Sequence, residues 1–167
     1  MAGKGDGAGP ATTSYWLEWT AADQLAANIP AGGSNHLLTA TDFVVTDVAN
    51  WHFVAATYDG ATMRVYLDGR VSTVTLSFAT AISQTALTFA LGRLGSLANF
   101  IFQGVMREFY LWDRALRSDE ILRLYAEPYA FMRPMAPAFR FPEMTFIRPA
   151  AKPITGTPWA PITGAAE

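Results

Sequence analysis

Two Asp-Gly dipeptides, Asp59-Gly60 and Asp68-Gly69, punctuate a stretch of alternating apolar and polar residues between Trp51 and Phe78. Both residue types tolerate the positive φ of tight hairpin turns, so Asp-Gly between alternating runs is a strong short-range hairpin signal. Three strands are predicted around the two turns, over 51–58, 63–67 and 71–78. In the second, Met63, Val65 and Leu67 share one face while Arg64, Tyr66 and Asp68 share the other, as in a sheet with one buried side. A chain with this meander at its centre is held to an antiparallel β fold.

Further strands are predicted at Tyr15–Trp19, 86–91, 100–105 and 106–111, with loops at 1–13 and 27–34 where Gly, Ala and Pro gather. Turn signals every 8–12 residues or so argue for a sandwich or jelly roll. One helix is expected over 119–126. Ser118 is placed to cap it, Asp119 and Glu120 put negative charge on its positive end, and Ile121, Leu124 and Tyr125 form one stripe. Pro128 ends it.

Eight of the ten prolines lie between Pro128 and Pro161, so the last quarter of the chain cannot hold a helix or supply central strands. The expected organisation is a flexible Gly-rich segment over 1–14, a jelly-roll domain over 15–127 and an extended Pro-rich arm over 128–167. Residues 1–127 carry 8 basic and 12 acidic side chains, a net −4, whereas 128–167 carry 4 and 2, a net +2. Disordered linkers are poor in aromatics because they do not favour burial. This arm instead offers Tyr129, Phe131, Met132, Phe139, Phe141, Phe146 and Trp159 between its prolines, with Arg133, Arg140 and Arg148 among them. These ten residues are the expected partner-binding set of an arm that docks on another subunit; the alternative is a Pro-pinned strap folded back over its own domain.

A net charge of −2 supplies no basic field for nucleic acid or an anionic membrane, so neither is an expected partner. The absence of Cys excludes disulfide scaffolds, thiolate metal sites and cysteine nucleophiles. No secretory signal or membrane span is expected from the pattern of apolar runs.

The run Trp51-His-Phe-Val-Ala-Ala-Thr-Tyr-Asp-Gly60 followed by Met63-Arg-Val-Tyr-Leu-Asp-Gly69 resembles the central meander of laminin-G-like, concanavalin-A-like domains. Leu91-Gly92-Arg93 is similar to a strand end of that family. The stretch from Gly104 to Leu116 looks like its last strand, and Ser118 to Tyr125 like its terminal helix. The resemblance implies an all-β, concanavalin-A-like jelly roll with one short C-terminal helix. With only about 50 residues before Trp51, the sandwich is expected to be abbreviated. Arg107-Glu108 stands where many members have Asp-Glu.

Family members bind glycans, steroids or proteins, a few hydrolyse glycans, and one branch occurs in virion proteins of tailed phages. The segment Leu124-Tyr-Ala-Glu-Pro-Tyr-Ala-Phe131 is similar to an extension of that branch. Glycan hydrolysis needs two carboxylates about 5–9.5 Å apart, which the hydrolase branch carries on an E-x-D-x-x-E strand that this sequence lacks. His36 and His52 are read as structural, His52 capping a backbone group, and no catalytic residue is expected. Many laminin-G-like domains hold calcium at the sandwich rim through oxygen ligands. Asp42, Asp47 and Asp59 lie near predicted strand ends, but turn and loop roles account for them. No cofactor or metal ligand is assigned.

Trp51 and Trp112 fall inside family motifs and are expected to pack in the core. Trp16 and Trp19 point to opposite faces of one strand, so one of them is free to meet a ligand or a subunit. The expected function is that of a non-enzymatic virion structural protein. It would decorate a capsid through its arm, contact other virion proteins, and form a homo-oligomer such as a trimer. The alternative is a carbohydrate-binding module or a tail-fibre or baseplate adhesion domain.

Overall fold

The computed structural model describes residues 2–6, 9, 11–93 and 101–132. Two antiparallel sheets form a β-sandwich. The first joins β1 (Ala2–Gly5), β2 (Thr13–Trp19), β3 (Gln24–Asn28), β4 (Leu37–Val44) and β9 (Phe89–Leu91) in the order β4-β3-β2-β1-β9. The second joins β5 (Val54–Tyr58), β6 (Thr62–Leu67) and β7 (Arg70–Val71), with β8 (Leu76–Ser77) also on β6. The chain divides after Arg133, and its second unit lies outside the described residues.

The core lies between the sheets. Leu25 and Ala27 from β3, Leu38 and Ala40 from β4, and Met63 and Val65 from β6 are buried together with Ile29 and Phe43. The alternation in β6 thus sends Met63 and Val65 inward as the sequence pattern requires. Its opposite face is not wholly exposed, because α1 (Ser118–Ala126) covers Tyr66. Tyr66 is 1% exposed and is buried with Leu116, Ile121 and Leu124. Burying Ile121 and Leu124 contributes roughly 1.5–3 kcal/mol each, which is what seats a nine-residue helix too short to stand alone.

The two Asp-Gly turns differ. Asp68 and Gly69 both have positive φ, 50° and 77°, and join Leu67 to its partner Arg70 in the two-residue hairpin that the dipeptide predicts. At the other turn only Gly60 is positive, and Asp59 holds the loop by accepting the N–H groups of Ala61 and Thr62.

Several expectations are corrected. The segment expected to be flexible, 1–14, begins with a strand: Ala2–Gly5 pairs with both β2 and β9 inside the first sheet. Its glycines give no apolar alternation to read, yet their small size admits close neighbours. A Cβ on Gly5 would meet the Thr13 backbone at 2.5 Å. The single strand expected over 71–78 is broken into β7 and β8. Ser72 Oγ, Thr73 N and Thr73 Oγ1 turn away to Asp42 of β4, tying the two sheets at their rim.

The strands expected at 100–105 and 106–111 form no ladder among the described residues. Ile101 bridges Arg93 and Phe102 donates to the Gly92 carbonyl, but the backbone from 104 to 112 makes no backbone hydrogen bond there. Nor does Ser118 cap the helix. Glu120 accepts the N–H of Arg117 at 2.8 Å, while the Ser118 hydroxyl lies 3.3 Å from that of Tyr66.

A Cβ on Gly69 would meet Leu122 Cδ1 at 2.9 Å and Tyr125 Cδ1 at 3.0 Å, whereas one on Gly60 meets nothing within 4 Å. Gly69→Ala is therefore expected to cost about 2 kcal/mol or more and Gly60→Ala about 1 kcal/mol, read from urea unfolding of the full chain. Equal losses would mean that the helix does not rest on the turn.

Candidate functional site

Three surfaces carry the chemistry-bearing residues. The first is the rim around the Asp68 turn. Asp68 Oδ1 accepts the N–H of Phe53 at 2.8 Å, and Oδ2 lies 2.9 Å from His52 Nδ1. The other ring nitrogen, Nε2, lies 2.8 Å from the Asp47 carbonyl oxygen. Asp47 in turn accepts from Ala49 N and Asn50 Nδ2. Both ring nitrogens are thus committed, one of them to a backbone group as expected and the other to a carboxylate 16 positions away. Spacing alone does not reveal that second partner, because the turn role of Asp68 already accounts for its presence.

With acceptors on both sides, the imidazolium can donate twice, whereas the neutral ring can donate only once. The hydrogen bond to Asp68 is the main cause that raises the His52 pKa, against the opposing effect of burial. The ring thus acts as a clasp between the Asp47 loop and the Asp68 turn. His36 stacks face to face on Phe78 at 3.9 Å.

The clasp turns His52 inward and so turns Trp51 out. Trp51, expected in the core, is 63% exposed, and Val48 on the same loop is more exposed still. The hydrogen bonds of Asp47 and His52 hold this loop in shape around the two side chains.

The second surface is the segment 101–112. Trp112, also expected in the core, is partly exposed and meets Phe131 edge-on at 5.5 Å, with Tyr110 meeting the same ring at 5.1 Å. Tyr129 donates to Glu108. Glu108, Tyr110 and Trp112 alternate along the chain, and Phe109 between them turns to Phe89 at 5.0 Å. The period of two is kept without a ladder. Tyr129 and Phe131, read from sequence as arm residues, therefore pack on their own domain, ahead of the division after Arg133. Met132 is exposed. Arg133, Phe139, Arg140, Phe141, Phe146, Arg148 and Trp159 lie outside the described residues.

The third surface is the outer face of the first sheet. Trp19 packs on the core and Trp16 points the other way, directly across from Asn28 in the register. Trp16 Nε1 and Asn28 Oδ1 are both buried without a hydrogen-bond partner, although Asn28 Nδ2 donates to Asn35 Oδ1 at 3.3 Å.

The acids near strand ends are engaged. Asp42 bridges to Ser72 and Thr73, Asp47 caps its own turn, and Asp59 binds Arg64 at 2.8 Å besides its turn. Among the described residues no three His, Asp or Glu side chains converge on one point. A cleft of about 400 Å³ beside the Asp59 turn is lined by Tyr58, Gly60 and residues 79–82, none of them charged.

A family model described as the concanavalin A-like lectin/glucanases superfamily matches residues 2–122. It reaches well before the motifs at 51–126 and takes in β1. No curated protein matches the chain. Among solved structures, residues 221–444 of an S-layer domain-containing protein from Clostridium thermocellum ATCC 27405 are 21% identical, with a TM-score of 0.40. The likeness covers 61% of this chain and 51% of that one, so this chain spans about half of the structure it matches.

The rim fixes a pH profile. The raised pKa of His52 means that its stabilising effect is complete below the ordinary value of 6.5 and is lost as pH rises through the raised one. Arg64 and Arg114 act oppositely on their partners, holding Asp59 and Glu120 down to about 2. Their contribution is present above the ordinary 3.8 and 4.5 and lost as pH falls toward about 2. Stability should therefore peak between 4.5 and 6.5. The urea midpoint is expected to fall between about pH 5.5 and about pH 8, and His52→Ala to remove that fall. A wild-type midpoint that does not change over this interval would contradict the clasp.

Proposed function

The chain belongs to the concanavalin A-like lectin/glucanase superfamily, and from that premise we propose that it is a non-enzymatic virion structural protein that decorates a capsid through its C-terminal arm. The observation that carries this reading is the join between domain and arm. In the segment from Leu124 to Phe131, similar to an extension in the phage branch, Tyr129 and Phe131 are anchored on Glu108, Tyr110 and Trp112. The last described residues before the arm are thus packed on the sandwich domain. Beyond it come further aromatics and a net positive charge, opposite in sign to the body. Prolines lower the entropy an arm loses on docking, and many copies on a shell add avidity.

A non-catalytic role is supported by the engaged nitrogens of His52 and by acids committed to turns and bridges. A second reading, glycan binding, is favoured by the exposed Trp51, whose indole face is open to stack on a sugar ring.

Co-sedimentation with virus particles stripped of surface proteins separates the readings. Under the decoration reading the full chain pellets with particles, and replacing Phe139, Phe141 and Phe146 by Ser weakens binding by about tenfold or more. No glycan is turned over. Failure of the full chain to pellet, with retention on a glycan array that Trp51→Ala abolishes, would establish the alternative.

A further inference from the structure

The backbone from 104 to 112 has the side-chain pattern of a strand and no ladder partner among the described residues. Its apolar side chains are uncovered: Val105 is 74% and Leu111 63% exposed, with Met106 and Phe109 also exposed. Unpaired N–H and C=O groups flanked by apolar side chains form a template for an added strand.

We propose that this strip is the seat for residues 143–148 of a second copy of this chain, added as a β-strand. The inference rests on reading the C-terminal segment as a docking arm. Two observations select that occupant. Proline has no N–H to give a ladder, so within the arm pairing is confined to runs between prolines. Glu143-Met-Thr-Phe-Ile-Arg148, between Pro142 and Pro149, is a six-residue run rich in β-formers.

The described chain ends at Met132, next to Phe131 on this same surface. The eleven residues from there to Glu143 span at most roughly 36–40 Å, enough to cross to an adjoining copy. Exchange of arms in this way either closes a ring or joins neighbours across a surface.

The test is read in solution without particles, so its failure is separate from failure of the virion reading. Two full-length variants are compared with the parent by light scattering on a sizing column, with circular dichroism confirming the fold. Val105→Lys with Leu111→Lys spoils the strip and leaves the arm. Phe146→Ser with Met144→Pro spoils the arm and touches no described residue. The parent is expected to self-associate and each variant to do so at least about tenfold more weakly. An equimolar mixture of the two is expected to recover a one-to-one pair, since one retains the arm and the other the strip. A monomeric parent, which would leave the strip to a different partner, overturns the proposal. So does a variant that associates like the parent, or a mixture that stays monomeric.

Discussion

The fold turns on one carboxylate. Asp68 sits in the left-handed region, closes the β6–β7 hairpin, accepts the N–H of Phe53 and binds His52, while its own N–H donates to the Phe53 carbonyl at 2.8 Å. Those contacts bring the start of β5 against the end of β6, where Val54 pairs with Leu67. Gly69 beside it presents the flat surface on which Leu122 and Tyr125 rest. The helix seats on the second sheet, and the loop bearing Trp51 is pinned, because one turn serves all three. Charge-assisted hydrogen bonds of this kind are stronger than neutral ones, which suits a rim that solvent would otherwise loosen.

What could be read from the sequence was local in origin. The first two strands of the meander, the Asp68-Gly69 hairpin and the helix each follow from residues a few positions apart, and each stands in the structure. The misreadings have a common physical cause: the deciding partner is distant or gives no pattern. Ala2–Gly5 has no apolar alternation, yet joins two strands of a sheet. Val71 to Phe78 alternates like one strand, but Asp42 from the other sheet draws Ser72 and Thr73 out of line. Trp51 carries a core residue's bulk but takes the outward position because His52 takes the inward one.

The site was legible in part. That one of Trp16 and Trp19 must face outward follows from the pleat, and the register selects Trp16. That Tyr129 and Phe131 seal the foot of the arm on Glu108, Tyr110 and Trp112 does not follow from composition, which groups them with the residues beyond Pro134. The segment at 104–112 shows the difference most plainly. Its side chains encode a strand, but a strand needs a neighbour, and no pattern within one chain guarantees that the neighbour belongs to the same molecule.

The proposed role in assembly rests on a strand-like strip with no ladder partner among the described residues, on Tyr129 and Phe131 packed at the foot of the Pro-rich segment, and on opposite net charges in the two parts of the sequence. The most direct measurement of that claim is amide hydrogen exchange on the full chain, below and above the concentration at which it associates. The account predicts that amides in 104–112 and in 143–148 gain protection together as concentration rises, while β6 stays protected throughout. Exchange in both segments that is independent of concentration would contradict it.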